Sequence, residues 1–181
     1  MIGLFLGSTD FSKIILDKIK KKKIKYFIID LTKDNIFKKD KNSYFINIGK
    51  FGKILNLIKG KKCKKVLFAG KINKPKIINL KFDIKGVYYL PRIIKASKLG
   101  DAAILKELIK ILAENKIKVI KSNFFNPELT LSRGNFSKTK PNKLDSINIK
   151  NGIKILNNLN AHNHVQGLVI RGKTIIKGIK V

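Results

Sequence analysis

Ile48-Gly49-Lys50-Phe51-Gly52-Lys53-Ile54-Leu55, a charged turn, and then Val66-Leu67-Phe68-Ala69-Gly70-Lys71-Ile72-Asn73-Lys74-Pro75 decide how this chain is read. Two glycines open a predicted helix over residues 50–59, with Ile54, Leu55 and Ile58 on one face. The following apolar run reads as a buried strand that stops at Ala69-Gly70 and enters a basic loop closed by Pro75. In an open α/β sheet, ligands bind beyond the carboxyl ends of the strands. Glycine at a strand end permits close backbone approach. Gly70, Lys71 and Lys74 are therefore candidate binders of an anionic group such as a pyrophosphate, against the plainer reading of a loop with surface lysines.

Outward from this stretch, strands and helices alternate. Residues 3–6 suit a buried strand, the polar turn Gly7-Ser8-Thr9-Asp10 offers helix caps, and a helix over 12–23 places Ile15, Leu16 and Ile19 at helical spacing. Strands follow at 26–31 and 44–48. This alternation predicts an α/β fold with a parallel sheet covered on both faces. Residues 76–100 are open between helical turns and extended pieces. Gly100-Asp101 then starts a helix with the stripe Ile104, Leu105, Leu108, Ile109 and Leu112, and a strand follows at 116–121.

These elements define a first domain over 1–122. Residues 123–144, with Pro127, Gly134 and Pro141 and little periodicity, read as a linker. The remainder, 145–181, reads as a helix over 145–159 and two strands around Arg171-Gly172-Lys173. That is too little to close a core of its own, since domains below about 40 residues usually need staples, and the second domain is expected to be partial.

Composition bounds the class. With 181 residues and 44% hydrophobic residues, a real core is within reach. No run approaches the roughly 18 apolar residues of a membrane span, and the N-terminus reads as a strand, not a signal peptide. Cys63 is the only cysteine, which excludes a disulfide framework and a thiolate zinc site and fits a cytosolic setting. The formal net charge of +30 invites nucleic-acid binding. Yet Arg92, Arg133 and Arg171 are the only arginines, and arginine is the residue suited to bidentate phosphate and base recognition. Lysine, isoleucine and asparagine share A/T-rich codons, so the charge is read as codon drift spread over the surface, with no specific nucleic-acid partner.

Two further places admit a function. Gly7-Ser8 lies between a strand and a helix, where backbone N–H groups and the helix terminus can hold a phosphate. The turn is neither GxGxxG nor GxxxxGK[ST], and an ordinary strand–helix turn fits equally. Asp101 is a good N-cap; with Gly100 leaving room beside it, a metal- or substrate-binding carboxylate is the alternative. His162 and His164 alternate along an extended segment without neighbouring Cys or acidic residues, and make a poor metal site.

Taken together, these blocks resemble the bacterial UDP-2,3-diacylglucosamine pyrophosphatases of the lipid A pathway, in their alphaproteobacterial form. The resemblance begins at Ile2-Gly3-Leu4-Phe5-Leu6-Gly7 and is strongest from Gly49 to Pro75. It continues through Leu90-Pro91, Gly100-Asp101-Ala102, Leu129-Thr130, Pro141 with Asp145, and Gln166. It implies a Rossmann-like N-terminal domain for the UDP end and a C-terminal α/β domain for the acylated sugar phosphate. The implied reaction is hydrolysis to UMP and 2,3-diacylglucosamine 1-phosphate with a divalent cation such as Mg²⁺. It also implies substrate contacts from Gly7, Ser8, Gly70, Lys71, Lys74, Gly100, Asp101 and Gln166, work at the cytoplasmic face of the inner membrane, and room for a homo-oligomer. The chain departs from the family pattern at Ser8-Thr9, where more glycine is usual, at Ala102 and Asn148, where aspartate is common, and at Lys74, where arginine stands. The family continues past the equivalent of Val181 into a Glu-Gly-Thr-Asp segment whose aspartate is regarded as essential. The resemblance therefore implies an incomplete enzyme, inactive as given.

Overall fold

A computed structural model of the chain describes residues 1–72, 80–132, 134–160, 165–172 and 174–180, leaving aside the side chains of Leu129, Asn160, Gln166 and Lys180. The chain forms two compact units, Met1–Leu131 and Ser132–Val181.

The first unit is a five-stranded parallel sheet. Its strands are β1 (Ile2–Leu6), β2 (Tyr26–Asp30), β3 (Ser43–Phe45), β4 (Lys65–Ala69) and β5 (Lys118–Ile120), in the order β3-β2-β1-β4-β5. All five residues of β1 are buried, as a central strand covered on both faces requires. Alternate residues divide between two cores. Leu4, Leu6, Ile28 and Leu67 pack with Ile15, Leu16 and Ile19 of helix α1 (Asp10–Lys21). Phe5, Phe27, Ile29 and Val66 pack with Ile54, Leu55 and Ile58 of α2 (Phe51–Gly60) and with Ile111 and Leu112 of α4 (Asp101–Glu114). The result is a Rossmann-like doubly wound sheet whose strand order reverses between β1 and β4.

The stretch left open in the sequence resolves in part. Residues 84–97 form one helix, α3 (Ile84–Ser97), which includes Val87-Tyr88-Tyr89-Leu90 and continues through Pro91. Residues 73–79 lie outside the described part. The third strand ends at Phe45, earlier than expected, because Asn47 turns the chain: its Oδ1 accepts from Gly49 N at 2.9 Å and its carbonyl accepts from Lys50 N at 2.9 Å. The front of the expected linker belongs to the first unit. Phe125 is buried in the core beside α1, in a segment of two short 3₁₀ turns at Ser122–Phe124 and Pro127–Leu129.

The glycines of Gly49-Lys50-Phe51-Gly52 serve a crossing of helices. A Cβ at Gly49 would stand 2.7 Å from Lys81 O, and one at Gly52 would stand 2.9 Å from Asp83 Oδ2. Asp83 is the N-cap of α3, its Oδ1 accepting from Gly86 N at 2.8 Å. The same carboxylate accepts from Gly52 N and Lys53 N, each at 3.0 Å, and so caps α2 as well. Burial works to raise the Asp83 pKa; the N–H groups of Gly52, Gly86 and Lys53 outweigh it and hold the carboxyl below its ordinary value.

The second unit holds α5 (Lys143–Asn160) and the antiparallel pair β6 (Val165–Arg171) and β7 (Thr174–Lys180). The helix starts earlier than expected because Asn142 and Asp145 cap it reciprocally: Asn142 Oδ1 accepts from Asp145 N at 2.8 Å, and Asp145 Oδ2 from Asn142 N at 3.0 Å. Gly152 brings the helix onto the hairpin, where its Cβ position lies 3.2 Å from Ile170 Cδ1. Val165 is buried, but Leu144, Ile147, Ile153, Ile176 and Ile179 are each more than half exposed. Among the described residues no helix is long and apolar enough to cross a membrane.

Candidate functional site

The carboxyl ends of β1 and β4 are neighbours at the point where strand order reverses, Leu6 lying opposite Ala69. Their turns touch directly. Gly7 N donates to Ala69 O and Ser8 N donates to Lys71 O, both at 2.9 Å. Ser12 Oγ, buried in α1, also donates to Ala69 O at 2.9 Å. A Cβ on Gly7 would meet the Lys71 carbonyl and stand 3.0 Å from the Gly70 carbonyl carbon. Gly70 adopts φ +86°, and a Cβ there would strike Ser12 Oγ and lie 2.8 Å from Thr9 Oγ1. Both glycines are thus required by close approach, and one also by conformation.

This contact qualifies the phosphate-loop reading of the first turn. The N–H groups of Gly7 and Ser8 are spent on carbonyls of the neighbouring turn and are not free donors. What the crossing leaves is the N-terminus of α1. Its N-cap, Thr9, makes no side-chain cap bond, and Thr9 Oγ1 is buried without a hydrogen-bond partner. Buried polar atoms are rarely left this way. Lys71 is exposed, and Asp10 in the first turn of α1 pairs with Lys13 at 2.9 Å.

Gly7, Ser8, Gly70 and Lys71 therefore come together. Gly100 and Asp101 stand elsewhere, at the junction of α3 and α4. There Gly100, at φ +97°, is the N-cap and Asp101 opens the first turn, so Asp101 is not the cap the sequence suggested. Lys74, His162 and His164 lie outside the described residues. Gln166 stands in β6 of the second unit, its side chain likewise undescribed.

Two carboxylates that sequence reasoning passed over prove to be structural. Asp30, at the end of β2, is fully buried, its Oδ1 accepting from Thr32 N at 2.9 Å and from the Thr32 hydroxyl at 2.6 Å, and its Oδ2 from Phe37 N at 3.0 Å. Asp83 is consumed by the two helix caps. Among the described residues, no three His, Cys, Asp or Glu side chains gather as a metal-ligand group.

Residues 1–129 match the family model described as the LpxI N-terminal domain. The UDP-2,3-diacylglucosamine pyrophosphatase LpxI of Caulobacter vibrioides is 27% identical over 125 residues, which is 69% of this chain and 45% of that protein. The match thus spans less than half the length of that relative. The family-model match over residues 1–129 takes in the complete parallel sheet, the crossed glycine turns and the Asp83 double cap, and through this domain the chain belongs to the LpxI family.

Proposed function

We propose that this chain belongs to the step of lipid A synthesis that hydrolyses the pyrophosphate bond of UDP-2,3-diacylglucosamine to UMP and 2,3-diacylglucosamine 1-phosphate, and that it binds the UDP end of that substrate. Its first unit takes the UDP end at the Gly7–Gly70 crossing. The observation that carries this reading is the orphaned Thr9 hydroxyl at the N-terminus of α1, beside the reversal of strand order. A helix N-terminus favours negative charge, and a pyrophosphate oxygen placed there would complete the cap. Lys71, exposed next to it, supplies a cation. The relative's name supports the substrate.

The chemistry asks for water to attack phosphorus while cations neutralise the developing charge. Mg²⁺ is the cofactor this reading carries. The described residues do not fit it: Asp30 and Asp83 are committed to backbone and hydroxyl donors, and no three-ligand group is gathered. We propose also that these 181 residues bind nucleotide without turning over substrate, because the second unit leaves Leu144, Ile147 and Ile153 in solvent where a walled lipid-binding site is needed.

Calorimetric titration of UDP and UMP tests the nucleotide site. Thr9→Val keeps the side-chain shape and removes the hydroxyl. It is expected to weaken UDP binding several-fold while leaving the free protein as stable or more stable, since an unsatisfied buried hydroxyl has been removed. Lys71→Ala should weaken binding as well. Equal affinity in wild type and both variants would sink the assignment. Release of UMP from UDP-2,3-diacylglucosamine with Mg²⁺ tests turnover, and a rate matching that of the Caulobacter relative would overturn the second proposal.

A further inference from the structure

Helices α1, α2 and α4 each end at the edge of the parallel sheet where the next strand begins. The turns 18–25, 59–65 and 116–118 lead there into β2, β4 and β5. These eighteen residues hold thirteen lysines and no acidic residue, where the whole chain has 41 basic residues in 181. The first residues beyond the carboxyl ends of the five strands, 7–9, 31–34, 46–50, 70–72 and 121–125, hold four lysines and Asp34. Codon drift predicts an even spread, and the two edges of the sheet do not show one. At the amino edge Lys65 stands directly opposite Lys118 in the neighbouring strand, like charge beside like. Among the described residues, two of the thirteen are held in ion pairs, Lys18 with Glu128 and Lys20 with Asp40, each at 2.7 Å. Lys61 apart, the other eleven are exposed.

The three turns share one backbone motif. Ile24 N donates to Ile19 O at 3.2 Å, Cys63 N to Ile58 O at 3.0 Å and Ile117 N to Leu112 O at 2.9 Å, the closing bond of a Schellman cap. The left-handed residue of each cap is a lysine: Lys23 at φ +53°, Lys62 at +50° and Lys116 at +60°. Glycine or asparagine is usual there. Asparagine is as A/T-rich in its codons and takes positive φ more readily, so drift alone would serve this backbone better with asparagine. The helix dipole favours lysine in a last turn but fades beyond it. It leaves Lys25, Lys64, Lys65 and Lys118 unexplained.

We propose that the amino edge of the sheet binds the phosphate backbone of a nucleic-acid duplex without reading its sequence. Strand spacing puts β2 and β5, three places apart in the sheet, about 15 Å from one another. A duplex carries about eight phosphate charges over that length. Lysine is a point charge suited to phosphate, and arginine, suited to base edges, is absent from the three turns. A protein partner fits poorly, because interfaces are depleted of lysine and enriched in aromatic residues. A bilayer would receive little apolar surface: of the exposed large hydrophobic side chains among the described residues, Met1 alone belongs to this edge. The edge lies opposite the Gly7–Gly70 crossing, and its charge is independent of the reaction proposed above.

The test must separate this edge from net charge. An edge variant combines Lys22→Gln, Lys23→Asn, Lys62→Asn, Lys64→Gln and Lys116→Asn. A control combines Lys33→Gln, Lys85→Gln, Lys95→Gln, Lys98→Gln and Lys106→Gln, all at exposed positions elsewhere. Each set removes the same five charges. The asparagines suit the left-handed caps, so the edge variant should keep the circular dichroism and the urea midpoint of the wild type. Binding of a labelled random 20-base-pair duplex is followed by fluorescence anisotropy from 50 to 150 mM KCl. The edge variant should bind about tenfold or more weakly at 50 mM and flatten the slope of log K against log salt by about 2 or more, while the control stays within about threefold of wild type. Equal losses in the two variants would overturn the proposal and return the charge to drift, as would an unchanged edge variant. Tighter binding to phosphatidylglycerol vesicles than to duplex at equal phosphate, lost in the edge variant, would assign the edge to a bilayer instead.

Discussion

Asp83 illustrates how a single side chain can set the relation of two helices. Its carboxylate serves three backbone N–H groups from α2 and α3. Removing an N-cap costs about 0.5–2 kcal/mol, and this one serves two helices. Asp83→Ala is therefore expected to lower unfolding stability by roughly 1–3 kcal/mol in urea at neutral pH. Because the folded pKa lies below the unfolded one, the stabilisation is present above the unfolded value of about 3.9 and fades as pH falls through the folded one. The gap between wild type and Asp83→Asn should accordingly narrow below about pH 4; a gap that widens on acidification would contradict the assignment. The glycines make a matched pair. Gly70→Ala must fit a Cβ against Ser12 and Thr9 at positive φ and should destabilise by about 1–3 kcal/mol. Gly60→Ala, in the last turn of α2 with nothing within 4 Å, should be neutral or stabilise by up to about 1 kcal/mol.

At the scale of elements, the parallel strands were legible because buried strands are runs of apolar residues between turns, and α1, α2 and α4 because one face of each is apolar. Helix α3 was not legible for a physical reason: apolar residues on both faces erase the 3.6-residue contrast that marks a helix, and Pro91 adds a breaker. That Gly7 and Gly70 each follow the carboxyl end of a strand was legible in the sequence. The spending of the Gly7 and Ser8 N–H groups was not, since it depends on how closely two turns 63 residues apart approach. Nor was the role of Gly49 and Gly52, because their neighbour Asp83 lies 31 residues beyond Gly52. Helices α3 and α4 are further joined by Arg92, whose Nε donates to Glu107 at 2.6 Å and whose Nη1 and Nη2 grip Glu114 at 2.8 and 2.7 Å. Its hydrogen bonds to Glu114 and then Glu107 hold the guanidinium pKa above its ordinary value. Arg92→Lys keeps the charge and loses the fork. Amide hydrogen exchange in α3 and α4 should then speed up, with little change in global unfolding, as fits a clasp near the surface.

For the whole molecule, the two units and the excess of lysine lead to separate expectations. The start of the second unit is exposed from Asn135 to Lys140, including Lys138. Brief trypsin treatment should cut there first and leave a stable fragment close to Met1–Leu131; loss of the parallel-sheet unit at the same rate would show that it does not stand alone. The charge, if drift, should give weak and sequence-indifferent DNA binding. Filter binding to random duplex at about 150 mM salt is expected in the 10⁻⁴–10⁻⁶ M range of non-specific association, and nanomolar binding would reverse that reading.

The sheet order has a consequence for synthesis. Strand β1 sits at the centre, with β2 on one side and β4 on the other, so that Gly3 must meet Val66. As the chain leaves a ribosome, β1 can pair with β2 early, but its other edge waits until some 63 further residues have emerged. At about 5–20 residues per second that is roughly 3–13 seconds in which a fully apolar strand shows an open edge. During that interval the nascent chain is a natural client for a chaperone. Arrested chains ending before β4 should bind one, and chains extended past β4 with enough length to clear the exit tunnel should release it.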